Sequence, residues 1–171
     1  MKRVYFFAII ATLLGSSTAF AQVQDHDGQF GLRAGIGTGL SYLTSYGNAP
    51  SDLYRTPFAV TAFAGYGLKS SVEIELGGIF SVERYGGECP VAVAGGVRYF
   101  YNPLSYLKFY STLDAVVPVK PRADFGLRNE DGLQYDINSY IGLFLGLDLS
   151  VIFVRDFLAG AGLAAGVQGR Y

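Results

Sequence analysis

The chain has 171 residues and a formal net charge of −1; without a leader ending at Ala21 it is the length of one domain with one core, which excludes a second folded domain. Half of the residues are hydrophobic, 23 are Gly, Phe and Tyr number 13 each and only 16% are charged, a balance that argues against disorder and against a cytosolic enzyme. Without Lys2 and Arg3 the mature chain carries 11 basic against 14 acidic residues, so no surface for a nucleic-acid backbone is implied.

Met1 to Ala21 read as a signal peptide: a basic start, an apolar run from Val4 to Leu14, and Ala19-Phe20-Ala21 as an A-x-A cleavage signal before Gln22. The run is too short for a bilayer, which needs about 20 helical residues. Cys89 is the only cysteine and lies far from the cleavage point, so neither an internal disulfide nor a lipidated N-terminal cysteine is available. Residues 22–28 are expected to form a short periplasmic segment. It holds the only histidine, His26, read as part of a solvated stretch; Asp25, His26 and Asp27 point alternately on an extended chain and do not converge on a metal.

From Gln29 onward apolar residues recur at every second position and Gly interrupts the helical windows, so strands are predicted throughout. Gln29 to Leu43 sets Phe30, Leu32, Ala34 and Ile36 against Gly31, Arg33, Gly35 and Gly37. Pro57 to Leu68 and Val72 to Glu83 continue the rule, the latter alternating Ile74, Leu76 and Phe80 with Glu73, Glu75 and Ser81. Val91 to Tyr101 opposes Val93, Val97 and Tyr99 to Ala94, Gly96 and Arg98. In Leu107 to Val117, Phe109 and Leu113 oppose Lys108, Tyr110, Thr112 and Asp114. Ile141 to Phe153 places its Leu residues opposite Gly142, Phe144 and Asp148, and Phe157 to Tyr171 places Leu163 and Val167 opposite Gln168 and Arg170.

These are seven segments, whereas a bacterial transmembrane β-barrel has an even number. An eighth is read in Val119 to Arg128, followed by an Asn129-Glu130-Asp131-Gly132 turn; the rival reading makes the stretch an extended hairpin beyond the membrane. Connections alternate in length. Thr44–Thr56 and Pro118–Gly132 are long, whereas Lys69–Ser71, Asn102–Tyr106 and Val154–Asp156 are short, the layout of a transmembrane barrel with long loops outside. The later assignments depend on the eighth strand, which would swap the ends of the turns that follow it.

The polar face decides between membrane and water. Arg33, Arg98, Lys108 and Arg170 with Glu73, Glu75, Asp114 and Asp148 make a sparse exterior but a sensible interior, where near-balanced charge can cancel and Gly leaves room. These eight are read as a structural polar network in the lumen. The oily face carries aromatics near segment ends, among them Phe30, Tyr42, Phe58, Tyr66, Phe80, Tyr99, Tyr101, Phe109, Phe153 and Tyr171, suited to girdles at headgroup level.

With its leader, its alternating strands and the closing Val167-Gln168-Gly169-Arg170-Tyr171, the chain resembles the small outer-membrane β-barrels of OmpA/OmpX type over residues 29–171. The resemblance rests on pattern and has no diagnostic motif. It implies an all-β, closed antiparallel up-and-down transmembrane barrel, with eight strands, in a Gram-negative outer membrane. It further implies that Tyr171 acts as an assembly signal read during biogenesis by the barrel assembly machinery and periplasmic chaperones. Outer-membrane lipid is then the solvent of the wall.

No catalytic, cofactor-binding or metal residue is nominated. A hydrolase needs an activated nucleophile beside a base, and His26 precedes the first strand. Gly35-Ile36-Gly37-Thr38-Gly39 is strand packing, since no helix follows it. Arg122, Arg128, Asn129, Glu130 and Asp131 are read as a solvated loop, and Cys89 as a free thiol. Eight strands leave an interior that side chains fill, so nutrient diffusion is not expected. The expected role is structural or surface-interacting and non-enzymatic, with Thr44–Arg55 and Pro118–Asp136 contacting a partner outside. The alternatives are an envelope enzyme using Glu73, Glu75 and Asp114, and a soluble lipocalin-like carrier.

Overall fold

The structure, a computed structural model, describes residues 25–38, 42–46, 58–82, 89–120, 123–153 and 157–171. The expected leader and its cleavage point lie outside the described residues, as do residues 47–57 of the first long loop. The strand segments are β1 (Phe30–Gly37), β2 (Tyr42–Tyr46), β3 (Ala59–Lys69), β4 (Val72–Ser81), β5 (Val91–Phe100), β6 (Leu107–Lys120), β7 (Phe125–Asp136), β8 (Ile141–Phe153) and β9 (Phe157–Arg170). Every neighbouring pair is antiparallel, and β1 pairs with both β3 and β9, so the sheet closes. Closure gives every strand but β2, whose described pairing is with β9 alone, a hydrogen-bonding neighbour on both sides, the condition for a β-structure to cross lipid.

The wall has eight positions, because β1 and β2 lie one after the other along β9. Gly37 stands opposite Ala164 and Tyr42 opposite Ala161, so five steps on one side match three on the other. The unbroken first strand expected over Gln29–Leu43 is thus divided by an irregularity in register, and its second part continues to Tyr46.

The eighth strand exists, but not where the alternation placed it. β6 runs on to Lys120 and β7 begins at Phe125, so Asn129 to Gly132 are mid-strand, paired with Leu113 to Tyr110 on one side and Leu149 to Gly146 on the other. The expected Asn129–Gly132 turn is therefore absent, and Pro118–Asp136 is mostly wall rather than a loop. With eight positions, the β8–β9 connection at 154–156 falls at the same end as the β1–β3, β4–β5 and β6–β7 connections. The expected separation of long from short ends holds for the earlier connections and fails for this one.

Apart from Asn129 and Asp131 on β7, side chains sort by face. Leu32, Ile36, Leu76, Leu113, Leu145 and Leu163 are exposed on the outside, while Arg98, Lys108, Thr112, Asp114, Gln134 and Asp136 are 0% exposed inside. A soluble barrel would reverse this arrangement. The outer aromatics fall at two levels. Phe30, Tyr66, Tyr99, Phe109 and Tyr171 ring the end where β1 begins and β9 finishes, the termini end of the barrel, and Phe58, Phe80, Phe125 and Phe153 the far end; Phe125 stacks on Phe153 at 6.1 Å. From Phe125 to Tyr135 the chain rises about 25 Å, taking ~3.3 Å per residue and a tilt of ~40°, which matches the apolar band of an outer-membrane barrel.

Candidate functional site: the charged bore

The bore is built by the inward positions of every wall strand. Glu130 on β7 is its centre. It accepts hydrogen bonds from Arg33 Nη1 at 2.8 Å, from Tyr110 Oη at 2.7 Å and from Arg128, and Arg98 Nη2 lies 3.6 Å away. Arg33 also donates to Glu75 at 2.7 Å and sits between the rings of Phe63 and Phe144, 4.7 and 5.1 Å from their centroids. Arg98 donates to Thr112 Oγ1 and Gln168 Oε1 and lies over the Tyr110 ring, 4.1 Å from its centroid. Arg128 spreads its guanidinium over three carboxylates: Asp114 at 3.0 Å, Asp148 and Glu130.

At the termini end a second group forms. Lys108 Nζ is 2.7 Å from Asp136 and 3.0 Å from His26 Nε2; Arg170 pairs with Glu73, whose carboxylate lies 3.7 Å from His26 Nδ1. A local turn puts His26 there. Asp25 Oδ1 accepts from the Asp27 amide at 3.1 Å, Gly28 takes a left-handed φ of 67°, and the Gly28 amide donates to the Gly67 carbonyl at 2.9 Å. This folds the chain back over the rim. The turn also needs Gly67 to lack a side chain, since a Cβ there would collide with the His26 carbonyl; Gly65 likewise makes way for the Glu73 carboxylate. The imidazole meets the Phe100 ring edge-on at 4.0 Å. Burial pushes its pKa down from 6.5 to about 3, so the ring is neutral and its Nε2 accepts from Lys108.

His26 is 0% exposed, which corrects its reading as part of a solvated segment: the turn and the cation and carboxylate waiting inside draw it in. Arg128 and Glu130 are also not in a solvated loop; both are buried at the centre of the network. The eight residues expected to face the lumen, Arg33, Glu73, Glu75, Arg98, Lys108, Asp114, Asp148 and Arg170, all point inward, seven of them buried and Asp148 with 14% of its side chain exposed. Besides the neutral partners Tyr110, Thr112 and Gln168, sequence reasoning missed His26, Arg128, Glu130 and Asp136. His26 gave no signal. Arg128, Glu130 and Asp136 share an inward alternation, but the outward neighbours Asn129 and Asp131 made the stretch look like a loop.

Glu73, Glu75 and Asp114 are each matched to a cation. Each faces a different arginine: Arg170, Arg33 and Arg128. The described contacts of His26 hold no hydroxyl or thiol to activate. Among the described residues no group of His, Cys, Asp and Glu is arranged to hold a metal. Towards the far end a cavity of about 60 Å³ lies among Ser81, Pro90, Val116, Pro118, Arg128 and Ser150, room for a few waters. Tyr171 is exposed, its ring 5.9 Å from Phe30, and its backbone exchanges hydrogen bonds of 3.1 and 3.2 Å with Phe30 where the barrel closes.

No protein-family model matches the sequence, and a search of curated proteins finds no relative. Solved structures do match. The N-terminal β-barrel domain of OprF from Pseudomonas aeruginosa aligns at 14% identity over 83% of this chain and 98% of its own, with a TM-score of 0.59. The outer membrane protein OprG from the same organism aligns at 11% identity over 88% and 99%, with a TM-score of 0.57. Neisserial surface protein A aligns at 15% identity over 85% and 100%, also at 0.57. The fold is that of the small eight-stranded outer-membrane β-barrels.

Proposed function

We propose that this chain is a non-enzymatic integral protein of a bacterial outer membrane, a filled barrel that anchors the far-end connections at the cell surface. The observation that carries the reading is the inverted polarity of the wall: between two aromatic levels the exterior is oily but for the Asn129–Asp131 patch of β7, around a bore packed with ion pairs. Lipid is the solvent that makes both faces favourable. A network in which arginines, carboxylates, Tyr110 and Gln168 bond one another supports a structural role, since each cation inside has a carboxylate within 4 Å.

In this reading the termini end faces the periplasm, Tyr171 serves as the signal taken up by assembly machinery and chaperones, and the connection between β2 and β3 is the place for an extracellular partner. Cys89, half-buried just ahead of β5, marks the far end. A membrane-impermeant maleimide should label it in intact cells, and the unheated protein should migrate differently from the boiled one in a detergent gel. Labelling only after lysis overturns the sidedness, and recovery in the soluble periplasm overturns the membrane reading. In planar bilayers the filled bore should give no steady conductance; an open pore would contradict the plug.

A further inference from the structure

Resting on that membrane reading, we propose that the outer face of the β6–β7 seam is a dimer interface, where a second copy of this chain docks inside the bilayer. Asp131 is exposed on the lipid side, midway along β7, with Asn129 two residues before it and Ser111 directly opposite on β6. Asp131 lies about 10 Å above the level of Tyr135 and Asn129 about 10 Å below that of Phe125, by the same rise and tilt, so both sit in the middle of a ~25 Å apolar band. Elsewhere among the described strands that band carries no charged side chain on its outer face.

Asn129 Nδ2 donates to Asp131 Oδ2 at 2.8 Å, and among the described residues no cation stands within ion-pair distance of Asp131. Lipid tails offer nothing to its other lone pairs, and a charged group left in that position is expensive unless another polar surface covers it. The patch is its own complement. Two copies inserted in the same direction are related by an axis along the membrane normal. If it passes between Ser111 and Asp131, about 5 Å apart across the strands, each carboxylate faces the partner's Ser111, whose hydroxyl donates to it. The contact forms twice and keeps Asn129 on the carboxylate. Phe109, Leu113, Leu127 and Leu133 surround the patch and would seal it from lipid.

The test is cross-linking in the membrane before extraction. With Cys89→Ser and Leu113→Cys in the full chain, a short bismaleimide should yield a covalent dimer, reduced at least tenfold by Asp131→Leu and several-fold by Ser111→Ala. Membrane flotation and the heat-dependent gel shift report insertion separately. A chain that does not insert defeats the parent reading, and an inserted monomer defeats the dimer alone. Dimer yield unchanged in both variants overturns the proposal, as does a different membrane protein that co-purifies in equal amount with the wild type and is lost with Asp131→Leu. Should Asp131→Leu fail to insert, Ser111→Ala decides.

Discussion

β7 and β8 lie side by side in the wall and solve the same problem differently. β8 presents Ile141, Leu143, Leu145, Leu147, Leu149, Val151 and Phe153 outward and keeps Asp148 and Ser150 towards the bore. β7 presents Phe125, Leu127 and Leu133 with Asn129 and Asp131 between them, while Arg128, Glu130, Gln134 and Asp136 point inward. A strand polar on both faces loses its period-two signature, although its backbone pairing and length are those of its neighbour. The difference separates two requirements: the bore dictates what a strand must hold inside, and the surroundings dictate only what it can show outside.

The largest effect is expected inside β7. Arg128→Met removes the cation shared by Asp114, Asp148 and Glu130, and leaving buried carboxylates uncompensated should cost about 3–5 kcal/mol, read as a lower urea midpoint in vesicles. Next, making β8 resemble β7 should be costly: Leu147→Arg, opposite Asp131 at mid-band on the outer face, should lose about 2–4 kcal/mol in the same measurement. The termini end offers a control away from both strands. Folded His26 has a pKa of about 3 against 6.5 in the free side chain. As pH falls below 6.5 the unfolded chain binds a proton that the folded barrel does not, so stability present at neutral pH declines, by about 2 kcal/mol at pH 5. His26→Phe should flatten that part of the pH dependence. The smallest effect belongs to Asp131→Leu in dilute micelles, where no dimer forms: β7 then shows β8's kind of outer face, and stability should rise by about 1 kcal/mol or less.

The sequence disclosed the wall wherever the outer face was uniformly apolar. β3, β4, β5, β8 and β9 fall close to where alternation puts them, and with them the inward direction of Glu73, Glu75, Arg98 and Arg170. In β7 alternation also exists, but both sets are polar at mid-strand, and Asn-Glu-Asp-Gly carries the composition of a turn; only pairing with Leu113 to Tyr110 and Leu149 to Gly146 reveals a strand. The division of the first wall position into β1 and β2 was hidden for another reason. A register irregularity changes which residues oppose each other, and a single strand's pattern does not encode its partner. His26 was illegible because its environment is assembled from Glu73, Phe100 and Lys108, residues 47 to 82 positions away.

The seam between β1 and β9 joins Gly31 to Arg170, nearly the whole length of the chain apart. No sub-chain released earlier can satisfy both edges, so the ring stays open until its final segment has been delivered, and loop-closure entropy makes this a slow, late event. A product truncated before Phe157 would leave β1 and β8 as two bare edges, each a template for pairing with another chain. Completing synthesis is therefore the step that separates a folded ring from an aggregation-prone ribbon.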